Sequence, residues 1–296
     1  MTQTVAIFGA TGAQGAPVVQ EALTQGLTVR AVARDVVKIN QMHPKAQAFE
    51  ATLSDEDAVA EALAGVDAAF VHLPMPQNPD DPAKWMQAFF SAAHRVSLPL
   101  LVYTTSGTSG SRYPSSVMID GSTGGMQAVL ASGIPAIVLQ PTIYLENLMP
   151  DLFVPNLKSE GVLDYPPVPS DMKITWTSHR DQARVAVAAL TRPDLAENSY
   201  EIGTPNALTG GELADLLSDW VGKPVTFAPT SPAAFGQRVG DAIGNPGAGF
   251  ALTDLYGALA TMGSDDMVIN TQAVEEIFDV KLSSVAQHIS TWAKSE

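Results

Sequence analysis

The residues Gly9-Ala10-Thr11-Gly12-Ala13-Gln14-Gly15 follow directly on the apolar stretch Val5-Ala6-Ile7-Phe8. That order predicts a short strand, a glycine-punctuated turn and the start of a helix. Glycines at this spacing have separate jobs. Gly9 lets the chain leave the strand tightly, Gly12 lets backbone approach a diphosphate, and Gly15 lets the helix lie close to the sheet. The helix N-terminus presents unpaired N–H groups and a partial positive charge, so the chemistry expected of this segment is the holding of a dinucleotide's phosphates. The apolar period of Val18, Val19, Ala22 and Leu23, and a second strand over 27–33 after Gly26, complete a βαβ unit around it.

The second strand ends in Ala31-Val32-Ala33-Arg34-Asp35. An acidic residue at this distance from the glycines suits a ribose 2′-hydroxyl, whereas an arginine suits a 2′-phosphate. Arg34 is therefore the candidate phosphate clamp, because a planar guanidinium pairs two phosphate oxygens at once. This favours NADP(H) over NAD(H). Two alternatives stay open: Arg34 as a solvated strand-end charge with Asp35 on the ribose, and Arg30, which sits inside the strand.

A chain of 296 residues with 46% hydrophobic content is ample for a packed core, either one large α/β domain or a nucleotide domain with a smaller appendage. A net charge of -15 and a pI near 4.6 argue against nucleic acid or an anionic membrane as partner, since long-range repulsion opposes both. The absence of cysteine removes disulfides, thiolate nucleophiles and thiolate metal sites. No His/Asp/Glu grouping has metal-ligand spacing. The N-terminus carries neither a basic leader nor an apolar run long enough to span a bilayer, and the expectation is a cytoplasmic protein acting on a small molecule as monomer or homodimer.

Strand and helix signals alternate through the first half: a strand near Phe49, helix 55–64, strand 68–73, helix 83–96, strand 100–104, helix 124–132 and strand 136–140. Near-continuous apolar strands in this rhythm predict a doubly wound parallel α/β sheet of the Rossmann kind. After Gln140-Pro141 prolines accumulate, notably in Asp164-Tyr165-Pro166-Pro167-Val168-Pro169, which marks long loops or a change of subdomain. The boundary is placed at 150, with 1–150 the nucleotide-binding domain and 151–296 a smaller α/β subdomain partly interleaved with it. Further expectations are a helix over 181–190, a strand near 200–202 and a capping box at Thr209 and Glu212. Glycines between Gly236 and Phe250 predict a helix end and a flexible connection, and an amphipathic helix over 285–293 closes the chain.

The opening G-A-T-G-A-Q-G, the strand end V-A-R-D, A-L-A-G-V-D-A-A-F, L-V-Y-T-T-S-G and S-G-I-P-A-I-V-L-Q-P-T-I-Y-L-E-N together resemble the NmrA-like group of atypical short-chain dehydrogenases/reductases. The likeness continues more weakly through W-T-S-H-R-D-Q-A and L-T-G-G-E-L. It implies a Rossmann domain, a smaller C-terminal subdomain and NADP(H) in the cleft between them. It implies either reduction of quinones, dyes or other conjugated acceptors, or cofactor sensing without turnover. The family's phosphate loop falls on Gly9, Thr11, Gly12, Ala13, Gln14 and Gly15, and its 2′-phosphate arginine on Arg34. Leu73 and Pro74 would border the ribose, Thr105 and Ser106 would approach the nicotinamide, and Pro141, Thr142 and Ile143 would line it. Tyr144 and Asn147 would enter the substrate cleft. The chain departs from the family in reading Ala51-Thr52-Leu53-Ser54-Asp55 where relatives carry G-D-x-x-D, and Gln140-Pro141 where they carry R-P.

Ordinary short-chain dehydrogenases protonate the nascent alkoxide with a tyrosine whose pKa is lowered by a lysine four residues on. None of the six tyrosines here has a lysine at that spacing, and no lysine lies between Lys84 and Lys158. Reduction of simple ketones is thereby disfavoured, while delocalised acceptors remain open. Ser106 is a candidate oxyanion donor, Asp120 a candidate acid if buried, and Tyr144 a candidate contact to the reacting group. Each has a plain alternative: Ser106 closing a strand end, Asp120 capping a helix, Tyr144 packing. His72, on an apolar strand, reads as a hydrogen-bonded core residue. A non-redox cyclase or isomerase using Asp120 or Tyr144 is a further reading of the same pocket.

Overall fold

The computed structural model describes residues 2–76, 78–149 and 151–292. Strand β1 (Thr4–Phe8) is almost wholly buried, as its run of apolar residues dictates. Elements then alternate as α1 (Gly15–Thr24), β2 (Thr28–Ala33), α2 (Val36–Met42), β3 (Gln47–Glu50), α3 (Glu56–Leu63), β4 (Ala68–His72), α4 (Asp81–Arg95), β5 (Leu101–Thr104), α5 (Val117–Leu130) and β6 (Ala136–Pro141). A 3-10 turn at Leu145–Leu148 leads to α6 (Pro155–Glu160), β7 (Val162–Leu163), α7 (His179–Ala189), β8 (Asn198–Ile202), α8 (Gly210–Val221) and β9 (Thr226–Phe227). Helices α9 (Pro232–Ile243), α10 (Pro246–Leu259), α11 (Thr271–Phe278) and α12 (Val285–Ser290) complete the described chain.

Seven strands form one parallel sheet in the order β3-β2-β1-β4-β5-β6-β8. Chain order reverses between β1 and β4, so the C-terminal ends of these two strands open a crevice, the place where doubly wound sheets bind ligands. Alternate residues of β1 serve opposite faces. Val5 and Ile7 join the core under α1 and α7, while Ala6 and Phe8 join the core under α3 and α4. This is the doubly wound α/β sheet expected from the alternation of elements.

A second core gathers Tyr165, Trp176, Phe235 and Tyr256 with residues of α8 and α12. It draws Ile119, Ile143 and Leu145 from before position 150, whereas β8, α7 and α11 return to the sheet. Strands β7 and β9 pair as a small separate sheet. Among the described residues no helix is long and apolar enough to cross a membrane.

Several elements differ from expectation for identifiable reasons. Helix α5 begins at Val117 rather than at 124, because Ser116 caps it by accepting the Ile119 amide at 3.2 Å and Asp254 accepts the Val117 amide at 2.7 Å. Its glycines had hidden that start. Helices α2 and α11 are too short to show a period, and are defined instead by the caps Asp35 and Asn270. The segment Gly236–Phe250 is no flexible connection but the contact between α9 and α10. A Cβ on Gly249 would stand 2.6 Å from the Gly236 carbonyl oxygen, and one on Gly236 would stand 2.4 Å from that of Gly249. These glycines allow backbone-to-backbone packing. The closing helix spans Val285–Ser290, and Ala293 lies outside the described residues.

Helix propensity alone would have Gly249→Ala stabilise the protein by about 1 kcal/mol. The contact with α9 reverses the sign, and urea unfolding should show a loss of about 1–3 kcal/mol.

Candidate functional site

The glycine turn is held from below. Gly12 donates its amide to the Gly9 carbonyl at 2.8 Å, Ala10 donates to Val32 at 3.1 Å, and the buried His43 donates from Nε2 to the Ala10 carbonyl at 2.9 Å. A Cβ on Gly15 would fall 2.3 Å from the Gly9 oxygen, so only glycine lets α1 start where it does. Gly9 itself has φ +71, and a Cβ there would meet His72 Nε2 at 2.3 Å. The amides of Thr11, Ala13 and Gln14 carry no protein hydrogen bond among the described residues, and Gly12 and Ala13 are exposed. Free amides at the positive end of α1 make a fitting seat for a diphosphate.

At the end of β2 the two arginines part company. Arg30 donates from Nη1 to the carbonyls of Ala62 and Ala64, at 3.1 and 2.6 Å, and lies over the Phe49 ring. It closes the C-terminus of α3 and is removed from contention. Arg34 is exposed and makes no hydrogen bond or ion pair among the described residues. Asp35 is engaged as the α2 cap, accepting the Lys38 amide at 2.9 Å. A free guanidinium beside an occupied carboxylate fits a 2′-phosphate better than a bare ribose hydroxyl.

Across the crevice, Gln14 Oε1 is met by the Ser106 hydroxyl at 3.3 Å, the Tyr144 hydroxyl at 2.9 Å and Gln182 Nε2 at 3.3 Å. The Tyr144 hydroxyl also lies 2.7 Å from Gln182 Oε1, and its one proton serves either amide. Ser106 adopts φ 60, a left-handed conformation costly for a residue with a Cβ, and its amide meets Thr104 Oγ1 at 3.3 Å. Thr105 turns its hydroxyl to the Gly107 carbonyl at 2.7 Å. Burial pushes the Tyr144 hydroxyl far above its ordinary pKa of 10.0, which suits a hydrogen-bonding role and not that of an acid.

Beside Tyr144 stands a residue that sequence reasoning passed over. His179, the first residue of α7, lies against the Tyr144 ring with centroids 4.3 Å apart. Its Nδ1 is 3.5 Å from Glu146 Oε2. The Glu146 carboxylate also accepts the His179 amide at 3.0 and 3.1 Å, a negative charge placed on a helix N-terminus. His72 sits near enough to His179 for their charges to interact. His72 is hydrogen-bonded as expected through Nδ1, which lies 3.3 Å from the Leu73 carbonyl, but its buried Nε2 has no partner among the described residues. Desolvation lowers the pKa of both histidines, and Glu146 opposes that shift at His179.

The remaining predicted residues are placed as follows. Leu73 and Pro74 follow β4, half-buried and exposed. Pro141, Thr142 and Ile143 are buried, and the Thr142 hydroxyl is turned to the Thr175 carbonyl and to Thr177 Oγ1. Asn147 donates to the Tyr165 hydroxyl at 3.0 Å, which in turn meets that of Tyr256 at 2.6 Å. Asp120 is exposed in the first turn of α5 and accepts from Ser115 Oγ at 2.6 Å; it lacks the burial an acid role requires, and Ser116 is the cap. Helix α7 is anchored by Asp181, whose buried carboxylate accepts from Arg184, Thr204, the Ser283 amide and His288 Nε2. Only the phrase S-H-R-D-Q hinted at His179 and Gln182: a cap followed by polar residues where an apolar helix face was due.

Gly9→Ala should cost about 2 kcal/mol or more in urea unfolding, since it adds left-handed strain to the collision with His72. In Gly9→Ala/His72→Ala the loss should fall short of the summed single losses by about 1 kcal/mol.

The comparisons with known proteins agree with this fold. The chain is 30% identical over 225 residues to the NAD(P)H azoreductase of Xenophilus azovorans, covering 75% of this chain and 76% of that one. The fold matches that of an NADPH-dependent quinone oxidoreductase from Escherichia coli solved with NADPH, at a TM-score of 0.78 and 22% identity over 97% and 98% of the two chains. It also matches the Citrobacter sp. triphenylmethane reductase solved with NADP(H), at a TM-score of 0.73 and 18% identity over 97% and 99%. A family model matches residues 1–292, and the chain belongs to the NmrA-like family.

Proposed function

We propose that the protein is an NADPH-dependent reductase acting on a small, conjugated acceptor such as a quinone or an azo or cationic dye. The observation that carries this reading is Arg34, a cation at the end of β2 with no ion pair among the described residues, next to a turn in which the Thr11, Ala13 and Gln14 amides have no partner among them. Bound there, the coenzyme supplies a hydride. The chain's own groups do the rest. The glycine turn and α1 hold the diphosphate, Arg34 holds the 2′-phosphate, and Leu73, Pro74 and Thr105 border the groove.

Ser106, Tyr144 and Gln182 orient what lies above them through a shared hydrogen-bond set. Quinones, azo compounds and triphenylmethane dyes are extended π systems in which added charge is delocalised. They suit a site with no lysine four residues after any tyrosine. Holding the acceptor beside the ring removes several kcal/mol of barrier by proximity alone. The related azoreductase supports the same class of acceptor.

Cofactor sensing without turnover is the competing reading, favoured by the way Gln14, Tyr144 and Gln182 already satisfy one another. NADPH oxidation against a panel of quinones and dyes separates the two. The reductase reading expects turnover with at least one acceptor. NADPH binding with no turnover on the whole panel would leave sensing. Arg34→Ala should raise the KM for NADPH about tenfold or more and leave that for NADH nearly unchanged, as loss of a charge-assisted phosphate contact requires. Equal losses for both would show the arginine to be misassigned.

A further inference from the structure

A quinone or azo acceptor reduced by hydride needs a proton, and the tyrosines and Asp120 are poorly suited to give it. Tyr144 is buried with its pKa driven upward, and Tyr103, under α5 at Gly125, is pushed up to about 12 by the same cause. Asp120 is exposed on α5 and held by Ser115.

We propose that His179 is the proton donor of the cleft, with Glu146 holding its second ring nitrogen. This inference rests on the reductase reading above. Its geometry has three parts. The His179 side chain is only 12% exposed yet lies against Tyr144, whose hydroxyl reaches the Gln14 amide of the glycine turn. Its Nδ1 faces the Glu146 carboxylate, while its Nε2 has no hydrogen bond among the described residues and is not enclosed as that of His72 is. His72, whose Nε2 a Cβ on Gly9 would meet at 2.3 Å, is near enough for its charge and that of His179 to interact.

Proton transfer then balances simply. A quinone or azo acceptor that has taken up a hydride carries negative charge on oxygen or nitrogen, whereas a cationic dye is neutralised by the hydride and takes no proton. The Nε2–H bond breaks, an O–H or N–H bond forms, and the neutral imidazole keeps its Nδ1–H toward Glu146. Water reprotonates Nε2. A carboxylate fixing the far nitrogen of a histidine is the arrangement by which imidazole acids are commonly oriented.

The charged and titratable neighbours define the pH behaviour. Glu146 faces His179 from the 3-10 turn, Tyr144 from the end of β6 and His72 from β4. Arg180 and Asp181 follow on α7 itself, and His288 of α12 meets the Ser178 cap at 3.3 Å. Burial favours neutral imidazole and Glu146 favours the cation, with burial the larger influence. The donor form is therefore populated only below a pKa that itself lies under the ordinary 6.5, and is lost as pH rises through that lowered value.

The test uses the full chain loaded with NADP+ and 4-nitrophenolate, a mimic of the anionic product, read by absorbance and by proton uptake. Wild type should bind the phenolate with uptake of about one proton per site near neutral pH. His179→Gln should bind it about tenfold more weakly without proton uptake, at unchanged NADPH affinity. With a turned-over acceptor, His179→Gln should lose about a hundredfold in kcat, together with the alkaline fall of its pH profile. Glu146→Gln should move the proton-uptake midpoint to lower pH. Wild type that ignores the probe, a His179→Gln variant that binds it with undiminished proton uptake, or an unmoved Glu146→Gln midpoint would each overturn the proposal. His179-dependent phenolate binding in a protein that reduces no acceptor would instead sink the reductase reading and leave the proton site standing.

Discussion

The site depends on one backbone contact. Gly15 at the start of α1 approaches the carbonyl of Gly9 so closely that a single added carbon would collide with it. That approach fixes where α1 begins, hence where its free amides point, hence where a diphosphate can rest. It also fixes Gln14, the residue between, whose amide reaches across to Ser106, Tyr144 and Gln182. His72 seals the other side by packing its ring on Gly9. The turn is thus a rigid seat between β1 and β4, and the polar groups opposite are positioned relative to it through direct hydrogen bonds.

From this follows a division of labour within the chain. The sheet supplies the strand ends proposed to meet phosphate and ribose, with His43 and Arg30 bracing the backbone around them. The later segments supply the far wall: Tyr144 and Glu146 after β6, and His179 and Gln182 on α7. The wall is held together by charge. Glu146 sits on the N-terminus of α7, and Asp181 in the same first turn is satisfied by four donors from α7, the loop after β8 and the 283–288 region. The left-handed Ser106 lies where the two halves meet, a strained position kept by its bonds to Thr104 and Gln14.

The sheet was legible because its signals are local. Apolar runs of strand length, the Gly9–Gly15 turn and the alternation with amphipathic helices each declare themselves within a few residues. The bounds and contacts that escaped notice are those set from elsewhere in the fold. Helix α5 shows no clean period because glycines interrupt it, and the α9–α10 glycines read as looseness when they are contacts, since close approach and flexibility leave the same letter in the chain. Arg34 was visible from its distance to the turn. His179, Glu146 and Gln182 were not, because they meet only when α7 folds back beneath the segment after β6, a pairing across more than thirty positions that spacing does not announce.

The anchoring of α12 has a reach beyond its own few turns. His288 and the Ser283 amide provide two of the four donors on Asp181, and His288 also meets the Ser178 cap that precedes His179. Loss of residues 283–292 would leave all seven sheet strands in place. It would nonetheless strip half the support from a buried carboxylate and loosen the start of the helix that forms the far wall. The chain's end therefore acts as a remote keystone, and damage there would be felt in the cleft before it was felt in the sheet.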